Sequence, residues 1–202
     1  MHFIIWANDV DWNSLTKAAA DNKLMRVYSA ADFLQEKNAD AYFNLMDDSY
    51  TMDYTNLDKP IFINSIVYSL EYLQTKPNVL RLNGWAGFIE KNIWEIAGSP
   101  TAQVESILHA FKKNFIVVPD TIGLVSPIVI AMIINEAYLA FEDGVSTKED
   151  IDIAMKLGTA YPFGPFEWGD KIGLKHITQL LLKLSEQNER YLPAKSLQLT
   201  HA

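Results

Sequence analysis

The sequence predicts an α/β domain with a parallel sheet over residues 1–119, followed by an all-helical domain over residues 120–202. Two observations carry this. Up to Val118, short β-branched or aromatic runs alternate with polar helical stretches, the pattern of strands joined by crossover helices. From Asp120 onward no further strand-like run occurs, so the boundary falls near Val118 to Gly123. A third observation concerns chemistry. All nine glycines lie at or after Gly84, and the first 83 residues contain none.

In chain order, the expected strands are Phe3–Ala7, Met25–Tyr28, Ala41–Met46, Pro60–Ile63, Val79–Leu82, Ile93–Ala97 and Phe115–Val118. Helices are expected over Trp12–Asn22, Ala30–Lys37, Tyr68–Thr75 and Thr101–Lys113, the last starting after Ser99-Pro100. In the second half, the apolar run Ile122 to Ile134 is too short to span a membrane, which takes about 20 apolar residues. It reads as part of a buried helix. A turn follows at Asp143-Gly144. The next helix is capped by Ser146 or Thr147, with Glu149 and Asp150 favourably placed in its first turn. Gly158 is expected to end that helix, and a loop punctuated by Tyr161-Pro162, Gly164-Pro165 and Gly169 to follow.

Composition narrows the function. The chain has 202 residues, 49% of them hydrophobic, enough for one sizeable core or two small ones. Its net charge is -8 and its basic residues are scattered; Lys112-Lys113 is too small a cluster for a nucleic-acid footprint. No cysteine is present, which excludes disulfides, thiolate metal sites and cysteine nucleophiles and fits a reducing, cytoplasmic setting. The N-terminus lacks a basic segment followed by an apolar run, so no signal peptide is expected. His2, His109, His176 and His201 are dispersed without metal-ligand spacing. Neither a P-loop nor a G-x-S-x-G elbow is present. The aromatics Trp85, Phe88, Trp94, Tyr161, Phe163, Phe166 and Trp168 are read mainly as core, with the Tyr161–Trp168 loop the better candidate for a ligand-facing segment.

From Asn135 to Leu174 the residues NEA, EDGV, EDID and AMKLGTAYPFGPFEWGDKIGL stand with their Gly and Pro at fixed intervals. This stretch resembles the C-terminal domain of the 3-hydroxyacyl-CoA dehydrogenase family, which oxidises 3-hydroxyacyl-CoA thioesters with NAD in fatty-acid degradation. The resemblance implies that residues 1–119 form an abbreviated Rossmann-like domain. MRVYSAADFLQEKNADAYFNL follows the first strand and helix almost directly, whereas the similar pattern in the family comes later. The family's second and third strands, with the acidic residue that bonds the adenosine ribose, have no counterpart here.

The resemblance also implies where chemistry would sit. A dinucleotide-binding first turn uses G-x-G-x-x-G to bring backbone close to the pyrophosphate. Here Phe3–Ala7 runs instead into Asn8-Asp9-Val10-Asp11-Trp12, with side chains and two carboxylates where phosphates would lie. The family's base is a His in an HFFNP-type segment, oriented by a Glu about a dozen residues on. Matching that Glu to Glu95 puts Asn83 at the His position, and an amide takes up no proton near neutral pH. A carboxylate at Glu95 also fits an ordinary paired or solvated strand residue. The family's substrate-holding Asn aligns with Pro127, and Ser65 is the nearest candidate for its substrate-contacting Ser.

The expectation is therefore a protein related to 3-hydroxyacyl-CoA dehydrogenases, without bound NAD or NAD-dependent activity, that binds a CoA thioester or a related ligand. Two alternatives stand beside it: an active oxidoreductase with an altered cofactor mode, and a non-catalytic partner subunit docking through the helical domain. The family analogy, with the apolar faces on Leu124–Phe141 and Ile177–Leu184, also implies a homodimer through residues 120–202. No metal, nucleic acid or membrane is expected as a partner.

Overall fold

The computed structural model describes residues 1–19 and 21–199, which fall into two compact units, Met1–Leu124 and Val125–Ala202. His201, among the dispersed histidines, and the end of the second domain lie outside the described residues.

The first unit is built on a seven-stranded sheet in the order β2-β1-β3-β4-β5-β6-β7. Its strands are β1 (His2–Trp6), β2 (Lys23–Arg26), β3 (Ala41–Asn44), β4 (Ile61–Ile63), β5 (Val79–Leu82), β6 (Ile93–Ala97) and β7 (Asn114–Val117). Strands β1 to β5 pair in parallel, as the alternation of strands and helices predicts. The expectation of parallel strands throughout fails at β6, which pairs antiparallel with β5 and then parallel with β7. The reason is the connection. Residues 83–92 contain no crossover helix, and a parallel neighbour needs a dozen or more connecting residues, usually helical.

Successive strand residues point to opposite faces, so each strand feeds two cores. Phe3, Ile5, Phe43, Phe62, Leu80 and Trp94 pack on one face with Leu15, Ile107 and Phe111. Ile4, Tyr42, Ile61, Ile63 and Val79 pack on the other with Phe33, Tyr54 and Leu57. Phe43 and Phe62 stack with centroids 4.6 Å apart. Burial on both faces is why these strands read as continuous apolar runs.

The helices of this unit are α1 (Asp9–Ala18), α2 (Ala30–Gln35), α3 (Leu70–Leu73) and α4 (Ala102–Ala110). Helix α1 starts three residues before the expected Trp12, because the Asn8 side chain accepts the Asp11 N–H at 2.9 Å and caps it. Helix α3 is shorter than the expected Tyr68–Thr75: Ser69 caps its start and Gln74 turns into the left-handed region at φ 51°. Lys113, half of the basic pair, is buried, with Nζ donating to the Glu90 and Lys91 carbonyls and lying 5.5 Å from the Trp94 ring centre. It contributes nothing to a basic surface.

The second unit contains α5 (Ser126–Glu142), α6 (Lys148–Thr159), α7 (Pro165–Ile172), α8 (Leu174–Ser185) and α9 (Lys195–Leu199). Thr147 caps α6 by accepting the Asp150 N–H at 3.1 Å. Gly158 does not end α6. The helix runs to Thr159 and stops at Ala160, whose φ is 56°. Pro162 disfavours helical backbone at Tyr161, so the chain must leave the helix here. The expected loop is also shorter than the sequence implies, since Gly164-Pro165 opens α7. Buried Asp152 holds that start by accepting the Phe166 and Glu167 N–H groups at 2.8 and 3.1 Å. A Cβ on Gly164 would stand 2.2 Å from the Asp152 Cγ, so only glycine allows this approach. Asn135 pins the segment before α9, donating to the Leu192 carbonyl at 2.9 Å and accepting the Ala194 N–H at 2.8 Å. Among the described residues no helix is long and apolar enough to cross a membrane.

Candidate functional site

In an open parallel sheet, ligands bind beyond the carboxyl ends of the strands, where strand order reverses. Here β1 lies between β2 and β3, which places that point at the ends of β1 and β3. The residues there are the Asn8–Trp12 turn after β1 and Leu45–Asp48 after β3.

The first turn is filled by its own side chains. Asn8 Oδ1 accepts the Asp11 N–H, and Asn8 Nδ2 donates to Asp11 Oδ2 at 2.8 Å. Asp11 is buried. That burial, with Glu90 and Asp47 adding repulsion against the Asn8 hydrogen bond, pushes its carboxyl up to about 6. Asp9 is exposed and pairs with Arg26, whose Nη2 reaches Asp9 Oδ1 at 2.6 Å and the Ala7 carbonyl at 3.0 Å. The Arg26 guanidinium carbon lies 4.9 and 5.6 Å from the ring centres of Tyr28 and Trp12. A basic side chain thus ends β2, beside a turn carrying carboxylates.

The β5–β6 region brings Asn83 and Glu95 together. The Asn83 N–H donates to the Glu95 carbonyl at 3.1 Å, and Asn83 Nδ2 lies 3.5 Å from Glu95 Oε2, a long hydrogen bond. Both residues are buried. The Asn83 amide oxygen accepts the Trp85 N–H at 3.3 Å. Ser65 is buried after β4, and its hydroxyl donates to the Tyr68 carbonyl at 2.7 Å. Pro127 belongs to the second unit, buried in the first turn of α5. Among the described residues no group of His, Cys, Asp and Glu is placed to hold a metal ion.

The sequence reading missed two residues that shape this region. Asn64, between β4 and Ser65, accepts the Gly84 N–H at 3.2 Å, an approach that a Cβ on Gly84 would block at 2.7 Å from Asn64 Cγ. Arg81 is fully buried on β5. Its guanidinium donates to the Ser65, Ile66 and Thr121 carbonyls at 2.6, 2.8 and 2.8 Å and pairs with Asp120 at 2.7 Å. Burial pulls Arg81 below its usual pKa, while Asp120 and Glu95 oppose that shift. Asp120 also accepts the Leu70 N–H at 2.8 Å at the start of α3. The only sequence signal was a lone arginine inside the apolar run Val79–Leu82.

A reversing, mostly parallel sheet that precedes a helical unit defines a Rossmann-like fold in two units. Residues 123–200 match the family model of the 3-hydroxyacyl-CoA dehydrogenase C-terminal domain. The helical unit is thus similar to the C-terminal domain of that family. It is 41% identical over 101 residues to 3-hydroxyadipyl-CoA dehydrogenase of Escherichia coli K12, covering 49% of this chain and 21% of that protein. To the human mitochondrial hydroxyacyl-coenzyme A dehydrogenase it is 37% identical over 91 residues, covering 44% and 29%. These matches span between about a fifth and a third of the relatives' length. The fold extends further. The crystal structure of FadB2 from M. tuberculosis superposes with a TM-score of 0.79 at 15% identity, covering 98% of this chain and 92% of that one. For (S)-3-hydroxybutyryl-CoA dehydrogenase PaaH1 of Ralstonia eutropha the TM-score is 0.72 at 17% identity, with the same coverage.

Proposed function

We propose that this protein is a 3-hydroxyacyl-CoA dehydrogenase relative of fatty-acid metabolism that has given up NAD-dependent hydride transfer and binds a CoA thioester or a related acyl ligand. The observation that carries the reading is the Asn8–Asp11 turn. A pyrophosphate needs free N–H groups at a helix start and the absence of negative charge. At α1 the Asn8 side chain already takes the Asp11 N–H, and Asp9 and Asp11 bring carboxylates to the same turn. These residues do not fit NAD in the ordinary mode. Asn83 supports the reading independently: beside Glu95 it offers an amide where the reaction needs a base, a role that typically contributes 10²–10⁴-fold. The acyl-CoA part rests on the matched relatives, whose names specify hydroxyacyl-CoA substrates.

Exposed Val129 and Leu139 on α5 and Leu182 on α8 support self-association through the helical unit as a homodimer. The cysteine-free composition supports a cytoplasmic setting. A thermal-shift screen tests the ligand reading, because a ligand that binds only the folded state raises the melting temperature. Acetoacetyl-CoA should stabilise the protein and NADH should not. Stabilisation by NADH would point to an altered cofactor mode instead, and silence towards all CoA compounds would remove the ligand from the proposal.

A further inference from the structure

Three helices of the second unit, α5, α6 and α7, bring aromatic rings and an ammonium together. Tyr138 and Phe141 lie three residues apart on α5 and therefore share a face. Phe166 enters from the first turn of α7, its backbone fixed by Asp152. The Tyr138 and Phe166 ring centres are 4.8 Å apart, and those of Phe141 and Phe166 6.3 Å apart at 78°. The Lys148 ammonium lies between them, 5.0, 5.1 and 5.2 Å from the centres of Tyr138, Phe141 and Phe166. Tyr138 and Phe166 are buried, and Phe141 leaves one side open.

Lys148 is the first residue of α6, a position where the helix dipole disfavours a cation. Among the described residues it forms no ion pair. Three ring faces around one ammonium, with no carboxylate in contact, is the composition by which proteins recognise alkylated ammonium groups. We propose that Tyr138, Phe141 and Phe166 form an alkylammonium-binding cage, filled from within the chain by Lys148. The same rings then accept a small methylated ammonium ion once that side chain is removed. This inference goes beyond the acyl-CoA reading and rests on the geometry of the rings and the ammonium.

Two measurements test it. Reductive methylation of the intact protein with ¹³C-formaldehyde labels each lysine as a dimethylamine. The Lys148 methyl signal, assigned by its absence in Lys148→Arg, should lie upfield of every other lysine through the ring currents. A Lys148 signal at the solvent-exposed position would overturn the cage. In the second, Lys148→Ala is titrated with tetramethylammonium chloride against sodium chloride of equal ionic strength. Saturable binding should occur in Lys148→Ala, be absent in the wild type, and be lost again in Lys148→Ala/Phe166→Leu. No saturable binding in Lys148→Ala, or equal binding by the wild type, would overturn the proposal. If Lys148→Ala does not fold, the methyl shift alone decides.

Discussion

The helical unit matches a family model over residues 123–200, whereas the sheet unit belongs to a backbone that superposes on its neighbours at only 15–17% identity over 98% of the chain. The contrast has a physical origin. In the helical unit, backbone geometry and residue identity are locked together, as where Gly164 admits Asp152 to cap α7. In the sheet unit the strands are held by an alternation of apolar residues that many sequences satisfy, and the turn and loop residues at the strand ends are free to change. A sheet of this kind keeps its shape while the residues at its strand ends vary.

Breaking the sheet unit at its buried arginine should have the largest effect. Arg81→Leu removes the cation paired with Asp120 and a donor to the Ser65, Ile66 and Thr121 carbonyls, of which Ile66 retains the Gly123 N–H, so stability should fall by about 3–5 kcal/mol. Urea denaturation followed by tryptophan fluorescence measures this. A loss below 1 kcal/mol would show that the anchor is dispensable. In the helical unit, Gly164→Ala should cost roughly 2–3 kcal/mol by displacing the Asp152 cap and overpacking its surroundings, read in the same assay.

The third prediction concerns pH. The Asp11 carboxyl is raised from 3.8 to about 6 by burial, so the folded state holds its proton more tightly than the unfolded chain does. The contribution to stability is therefore full below about pH 4 and is lost as pH rises through about 6. A rise of this size corresponds to roughly 3 kcal/mol, part of which is offset in a variant that alters the bond to Asn8. Asp11→Asn should gain about 1–2 kcal/mol at pH 7.5, and the gain should vanish at pH 4. Melting temperatures across that range decide it, and a gain independent of pH would refute the assignment. The smallest effect should come from Gly158→Ala. This glycine lies within α6, where an added Cβ meets nothing within 4 Å, so helix propensity alone should stabilise by about 0.5–1 kcal/mol.

The sequence made β1, β3, β4, β5 and β6 legible because each is a short, mostly apolar run buried on both faces, and β5 and β6 lie where the pattern puts them. It did not reveal that β6 reverses, since direction depends on the connection at residues 83–92 and not on the strand residues. Helix ends were off by a few residues where a side chain decides them. Asn8 starts α1 early, and Ala160, not Gly158, terminates α6. Within the candidate site, the pairing of Asn83 with Glu95 was readable from their spacing in the resemblance. The Arg81 network was not, because its partners are backbone carbonyls from distant loops, to which sequence pattern is blind.

The proposed loss of NAD chemistry in the sheet unit has two separate causes, at Asn8–Asp11 and at Asn83. Restoring one should not restore the other, so Asn83→His should remain as inactive as the wild type. The direct measurement is NADH-dependent reduction of acetoacetyl-CoA, followed at 340 nm with wild type and Asn83→His side by side. The account predicts no turnover above the enzyme-free rate for either protein. Wild-type turnover on the order of one per second, within the ordinary range of enzymes, would contradict it.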